Sequence, residues 1–291
     1  MKIALFGKRF DDGFRTSMCS LLDILNRNSV QLVVYKPFHE FIEHSCRITL
    51  SGCEIFDAPL TQGAVDAVLS IGGDGTFLET VTYVRDSGIP ILGINSGRLG
   101  FLADTSQSDI EKSIGDLLLD RYRLEQLDLL CMESGIPFDG VNFALNEVAI
   151  TKRDSSSMIT IHTYLNDEFL TSYWADGLIV ATPTGSTAYS LSVGGPLMHP
   201  GSPNFIITPI APHNLNVRPL VVPNDVVIDL HIEGRGTKIL ASLDSRNFVF
   251  TNNCCLRIKK ASFRINVIRF FGGSFYSTLR NKLMWGADKR N

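Results

Sequence analysis

The period of the apolar positions changes along the chain, from about Tyr122 onward. In the first hundred residues, short β-favouring runs at Lys2 to Phe6, Gln31 to Tyr35, Val65 to Ile71 and Ile89 to Ile94 alternate with helical stripes. One stripe carries Leu21, Leu22, Ile24 and Leu25 behind a cap at Thr16 or Ser17, and another covers Thr76 to Arg85. This β-α-β rhythm predicts a parallel sheet covered by helices. A further helix is expected over Ser108 to Leu119.

From about Tyr122 to Phe271 short β runs dominate: Ala144 to Thr151, Ile159 to Leu165, Glu168 to Trp174, Gly177 to Ala181, Phe205 to Ile210, Val226 to Ile232, Ile239 to Leu243 and Leu256 to Ile268. Turn signals such as Asn166-Asp167 and Gly234-Arg235-Gly236 separate several of them. The pattern predicts an antiparallel sandwich or barrel-like domain. Ser277 to Trp285 reads as a helix with no partner in the β region, so it is expected to pack back on the first domain. Residues 1–105 with 270–291 are thus expected to form an α/β domain and residues 106–269 a β-sandwich domain.

Composition narrows the function classes. A chain of 291 residues with 44% apolar positions has ample material for a core, which excludes disorder. Lys plus Arg number 27 against 30 Asp plus Glu, a net charge of -3, so binding to nucleic acid by phosphate neutralisation is not expected. The six cysteines form no C-x-x-C pair and no zinc-type spacing with the six histidines. They read as reduced core cysteines of a cytosolic protein. Met1 to Phe10 has too short an apolar stretch for a signal peptide, and no run approaches the 18 or so residues of a membrane span. A cytoplasmic protein with no membrane partner is expected.

The strongest local signal is Gly72-Gly73-Asp74-Gly75-Thr76, between a strand and a helix. Three glycines let backbone approach a ligand closely, and the unpaired N–H groups at the helix start make an anion site. A tight turn with Asp74 as helix cap is the plainer alternative, but a cap needs one Asp or Thr and no flanking glycines. A carboxylate among phosphate-cradling amides repels the ligand unless it has a task. Accepting the proton of an attacking hydroxyl during phosphoryl transfer is such a task, so the motif suggests a kinase. No G-x-x-x-x-G-K-[ST] occurs, and Gly93-Ile-Asn-Ser-Gly97-Arg-Leu-Gly100 has the wrong spacing for a coenzyme-type Rossmann turn.

A second signal is the block from Asp176 to Pro196, where an apolar strand ends among small residues and hydroxyls. It suits a polar ligand with many acceptors, with Tyr189 available to stack on a base; a close-packed strand-to-helix corner is the alternative. The third is Asn146-Glu147 inside an otherwise apolar strand. Adjacent strand residues face opposite sides, so one of the two meets apolar surroundings unless the strand lines a cleft or bulges. Such a pair suits a ribose diol; an edge position in solvent is the alternative.

Taken in order, these segments, with Asn95-Ser-Gly97-Arg-Leu99-Gly100-Phe101-Leu102 and Pro212-His213-Asn-Leu215-Asn-Val-Arg218-Pro219-Leu220, resemble the NAD kinases. The resemblance implies an N-terminal α/β domain that binds the phosphate donor, a β-sandwich domain holding the NAD site, and a C-terminal segment returning to the first domain. It implies transfer of the terminal phosphate of ATP, or of polyphosphate, to the 2′-hydroxyl of the adenosine ribose of NAD, with magnesium accompanying ATP and no metal site made by the protein itself. On this resemblance Asp74 is the base, and Gly72, Gly73, Gly75 and Thr76 help hold phosphate groups. Asp74 and Gly75 also meet NAD, Asn146 and Glu147 hold its adenosine ribose, and Thr187, Ala188, Tyr189 and Ser192 line the adenine and nicotinamide subsites. Asp176 and Asp244 are carried over as ligand contacts, and a homo-oligomer, dimer or tetramer, with shared sites is implied. Where the family usually has Asp-Gly and a polar residue, this chain has Asp244-Ser245-Arg246. Serine adopts a positive φ less freely than glycine, which predicts a local loop unlike the family's. Two other readings are a lipid or diacylglycerol-type kinase, which shares a Gly-Gly-Asp-Gly turn, and a catalytically silent NAD(P) sensor.

Overall fold

The computed structural model describes residues 1–50, 52–97, 99–135, 140–153, 157–234, 238–250 and 254–286. Along the chain the first elements are β1 (Lys2–Gly7), α1 (Asp12–Arg27), β2 (Gln31–Tyr35), α2 (Lys36–His44), β3 (Glu54–Phe56), β4 (Ala67–Gly72), α3 (Asp74–Val84), β5 (Ile91–Asn95) and α4 (Ile110–Leu118). Then come β6 (Arg123–Ser134), β7 (Phe143–Ala144), β8 (Glu147–Arg153), β9 (Ile159–Leu165), β10 (Glu168–Ala175), β11 (Gly177–Ala181) and α5 (Tyr189–Ser192). The last are β12 (Asn204–Ile210), β13 (Leu220–Pro223), β14 (Ile228–Glu233), β15 (Lys238–Leu243), β16 (Arg246–Phe250), β17 (Cys254–Arg269) and α6 (Phe275–Leu283). Two compact units emerge, Met1–Gln126 with Ile265–Asn291, and Leu127–Arg264.

In the first unit the strands run β3-β2-β1-β4-β5 and are parallel, with the end of β17 joining beside β5 through Val267 and Ile91. Strand β4 is buried along its whole length, as expected of a parallel strand with both faces covered. Its core joins Ile3, Leu5, Leu69 and Leu92 from the sheet to Phe14, Met18, Leu21 and Leu25 of α1 and Ile110, Ile114 and Leu117 of α4. Two expectations need correction. Helix α1 starts at Asp12 after Asp11, a turn before the expected cap at Thr16 or Ser17, because Phe14 and Met18 extend its buried stripe and Asp12 suits the positive helix start. Helix α4 belongs to this unit, so the division by contacts falls after Gln126 and not near residue 105. Helix α6 lies in the first unit as expected, with Phe275 against Phe101.

The second unit has two antiparallel layers. One is β13-β12-β11-β8-β15-β16, and the other includes β10-β9-β14-β17. Val148, Ile150, Leu178, Val180 and Ala241 of the first layer share one buried cluster with Ile159, Ile161, Leu230, Ile232, Leu256 and Ile258 of the second. Strand β11 is apolar and buried throughout because its other face is covered too: Ile179 and Ala181 pack with Ala149, Ile206, Val193 and Met198. The β9–β10 hairpin turns at Asn166 and Asp167, both at positive φ (49° and 66°), as the turn signal predicts. Of the other expected turn, Arg235 and Gly236 lie outside the described residues.

Candidate functional site

In the first unit the glycine turn does what its spacing predicts locally: β4 ends at Gly72, Gly73 is the N-cap and Asp74 is the first residue of α3. Thr76 is buried, and its side chain lies so close to Gly72 that a Cβ there would overlap it. Gly73 and Gly75 are exposed; the Thr76 amide donates to the Gly73 carbonyl at 3.0 Å, so it is the amides of Asp74 and Gly75, with no partner one turn back, that can meet an anion. Asp74 does not cap the helix. Its carboxylate accepts hydrogen bonds from three consecutive amides, Phe101 to Oδ2 at 2.9 Å and Leu102 and Ala103 to Oδ1 at 3.0 Å each. Gly100 makes this possible, since any Cβ there would overlap the Asp74 carboxylate.

That loop is held in turn by Arg269, at the end of β17. Its side chain is 13% exposed, and its guanidinium pairs with Asp104 at 2.7 Å and Glu125 at 2.8 Å, facing the carbonyls of Phe101 and Leu102. Lys282 of α6 places its ammonium 3.3 Å from Asp74 Oδ2 and 4.4 Å from the centre of the Phe101 ring. Neither cation stands out in the sequence. Arg269 lies 167 residues beyond Leu102 and Lys282 lies 208 beyond Asp74, and nothing local marks either one. Asn95, whose Oδ1 accepts from the Gly97 amide at 2.8 Å, shapes the same region, and Arg98 lies outside the described residues.

In the second unit a similar arrangement surrounds Asn146 and Glu147. The expected strand from Ala144 to Thr151 is interrupted, because the amides of Leu145, Asn146 and Glu147 turn to the carboxylate of Asp244 at 3.0, 2.8 and 3.3 Å. The Asp244 amide in turn donates to the Glu147 carbonyl at 3.0 Å. The left-handed conformation in the β15–β16 turn falls on Asp244 (φ 53°), and Ser245 does not adopt it. Ser245 is thus not asked for the positive φ that glycine adopts more freely.

The small-residue block docks on the same corner. The Thr182 hydroxyl donates to the Leu145 carbonyl at 2.6 Å and accepts from the Gly185 amide at 3.1 Å, while the Thr182 amide reaches the Asn146 carbonyl at 2.9 Å. Gly185 lies so close to the Asn146 backbone that a Cβ would overlap it. Thr187, Ala188, Tyr189 and Ser192 follow on this turn and on α5, with Tyr189 41% exposed. Asp176 is not with them. It stands before β11, at the opposite end of the strand from Thr182, paired with Lys152 at 2.7 Å.

Electrostatics single out Glu147. It is 8% exposed, and its Oε2 has no hydrogen-bond partner among the described residues. Burial, with the negative charge of Asp244 second, pushes its carboxyl up to about 8, against one favourable bond from the Tyr189 amide. Burial pushes Asp244 up as well, but three amides and the nearby Arg246 favour its charged form. Both carboxyls of this buried pair are thus pushed up, with burial the first cause.

Residues 19–122 match the ATP-NAD kinase N-terminal domain and residues 145–270 the ATP-NAD kinase C-terminal domain. The NAD kinase of Cytophaga hutchinsonii is 48% identical over 293 residues, covering all of both chains, and that of Flavobacterium psychrophilum 45% over 294, again covering both. The chain belongs to the NAD kinase family. Among solved structures, an NAD kinase from Archaeoglobus fulgidus in complex with ATP matches with a TM-score of 0.73 and 26% identity, covering 98% of each chain. Yeast NADH kinase complexed with NADH shares the fold, with a TM-score of 0.87 at 23% identity over 99% of this chain and 89% of that one. Membership in the NAD kinases disfavours the lipid-kinase reading of the glycine turn, and the described residues contain no helix long and apolar enough to cross a membrane.

Proposed function

We propose that this chain transfers the terminal phosphate of ATP to the 2′-hydroxyl of the adenosine ribose of NAD, forming NADP. The observation that carries the reading is the Asp74 carboxylate, fixed by three amides at the start of α3 beside amides open to an anion. Family membership supplies the substrates. The hydroxyl oxygen attacks the terminal phosphorus, Asp74 takes the hydroxyl proton, and Gly72, Gly73, Gly75 and Thr76 help hold phosphate groups.

Asn146 and Glu147 receive the adenosine ribose, with the partnerless Glu147 Oε2 accepting from a hydroxyl. Thr187, Ala188, Tyr189 and Ser192 line the base subsites, and Gly75 meets the NAD phosphates. Asp244, with its side chain 3% exposed and occupied by amides, acts by shaping residues 145–147 and not by touching the ligand. Asp176, apart from this cluster, serves the shared site of a homo-oligomer. Magnesium arrives with ATP as the substrate complex and spreads the developing charge. A cytoplasmic location fits the free thiols of all six cysteines.

The test is NADP formation with ATP or polyphosphate as donor and NAD or NADH as acceptor, with and without chelator. Asp74→Asn is expected to keep NAD binding within a fewfold and to lose about 100-fold or more in kcat. Turnover retained by that variant would overturn the base assignment, and absence of NADP with every donor would favour a sensor.

A further inference from the structure

Four donors face the carboxylate of Asp74. Oδ1 accepts from the amides of Leu102 and Ala103, and Oδ2 from the amide of Phe101 and the ammonium of Lys282. A carboxylate offers about four lone-pair positions, so this one has none left for the proton of an incoming hydroxyl. Three of the donors are backbone groups of a loop clamped by Arg269. The fourth sits on a flexible four-carbon stem whose side chain is 32% exposed.

The same ammonium resolves a second difficulty. Asp74 is the first residue of α3, so its charge opposes any phosphate seated on the first-turn amides. Lys282, 3.3 Å from Oδ2, sets a positive charge against it at the residue that opens the helix. The Phe101 ring beneath it gives the ammonium a defined resting place.

We propose that Lys282 is a catalytic residue for phosphoryl transfer, parked on the lone pair of Asp74 that the acceptor hydroxyl needs and drawn from it by the terminal phosphate of the donor. The proposal rests on the reading of Asp74 as the base. When the ammonium moves to the phosphate, Oδ2 opens and a positive charge stands against the transferring group. The hydroxyl oxygen then forms its bond to phosphorus, the bond to the bridging oxygen breaks with its electrons leaving on ADP, and the hydroxyl proton passes to Asp74. Lys282 keeps its protons throughout.

The experiment compares Lys282→Met, Lys282→Ala, Asp74→Asn and the double variant Asp74→Asn with Lys282→Met in the full chain. Lys282→Met is expected to lower kcat about 10- to 100-fold and to raise the KM for ATP, while the KM for NAD stays within about twofold. In Lys282→Ala, ethylammonium should restore part of the turnover and tetramethylammonium at equal ionic strength should not. Because the lost charge acts on the phosphate and the lost base on the hydroxyl, the two losses should multiply in the double variant to within about threefold. Turnover of Lys282→Met within about twofold of the parent overturns the proposal, as does a double variant no slower than Asp74→Asn alone. A loss with a lowered melting temperature and no amine rescue overturns it too, as a merely structural effect. If Asp74→Asn itself stays active, the base reading fails; if it is silent and Lys282→Met runs normally, only the role of Lys282 fails.

Discussion

Replacing Glu147 by glutamine should change how the stability of the protein depends on pH. Glu147 is 8% exposed with one partnerless oxygen, and its carboxyl is raised from 4.5 to about 8, by burial first and by Asp244 second. Between those two values the folded chain holds a proton that the unfolded chain has released, so stability is greatest below the lower value and is lost as pH rises through the upper one. At about 1.4 kcal/mol per pH unit, the loss from this one group is about 2 kcal/mol at pH 6 and nears about 5 kcal/mol at pH 9. A glutamine amide at this position does not titrate. The stability of Glu147→Gln relative to the parent should therefore climb by about 3 kcal/mol between pH 6 and pH 9. Urea unfolding followed by circular dichroism at several pH values in that range measures the difference directly. A difference that stays flat with pH refutes a neutral buried carboxyl at position 147.

Three further outcomes follow from the same geometry. If ribose hydroxyls donate to Glu147, they favour its charged form, so NAD binding at pH 7 should release close to one proton per site; calorimetry in buffers of different ionisation enthalpy would detect it, and proton uptake would contradict it. Gly185→Ala drives a methyl group into the backbone of Asn146, which cannot swing aside, and should lower unfolding stability by about 3 kcal/mol in urea titration. Arg269→Met leaves Asp104 and Glu125 without their shared cation and should cost about 3 to 5 kcal/mol, with kcat falling as the loop around Asp74 loosens; an unchanged melting curve would count against the clamp.

The parts of the fold legible in the sequence are those with a strong period or strong punctuation. Strands β1, β2, β9 and β11 stand within a residue of the expected runs, because each is an apolar stretch ended by a turn or a polar break. Helix α2 and strands β3, β6, β13 and β16 are not foreseen by the pattern. Strand β6 mixes Arg123, Glu125, Gln126, Asp128 and Glu133 among its apolar residues, and several of these are matched only by distant partners, such as Asp128 by Arg264 and Lys260. Such pairing leaves no local trace. At the site, the glycine turn and the hydroxyl block stand out, since close backbone approach demands particular residue types. The amide partners of Asp74 and Asp244 cannot be read, because a backbone N–H is the same at every position but proline. For that reason Asp244 reads in the sequence as a ligand contact, whereas its carboxylate is buried and braces residues 145–147.

The two braces also differ in when they can form. Asp74 reaches amides 27 to 29 positions away, whereas Asp244 must find amides 97 to 99 positions back along the chain. Closing the longer loop costs more chain entropy, and it needs β8 and β15 already side by side. The brace at Asn146 and Glu147 therefore cannot form before those two strands have paired. A chain in which β8 and β15 have not yet met lacks the Asp244 brace, while its Asp74 brace needs only a loop of fewer than thirty residues.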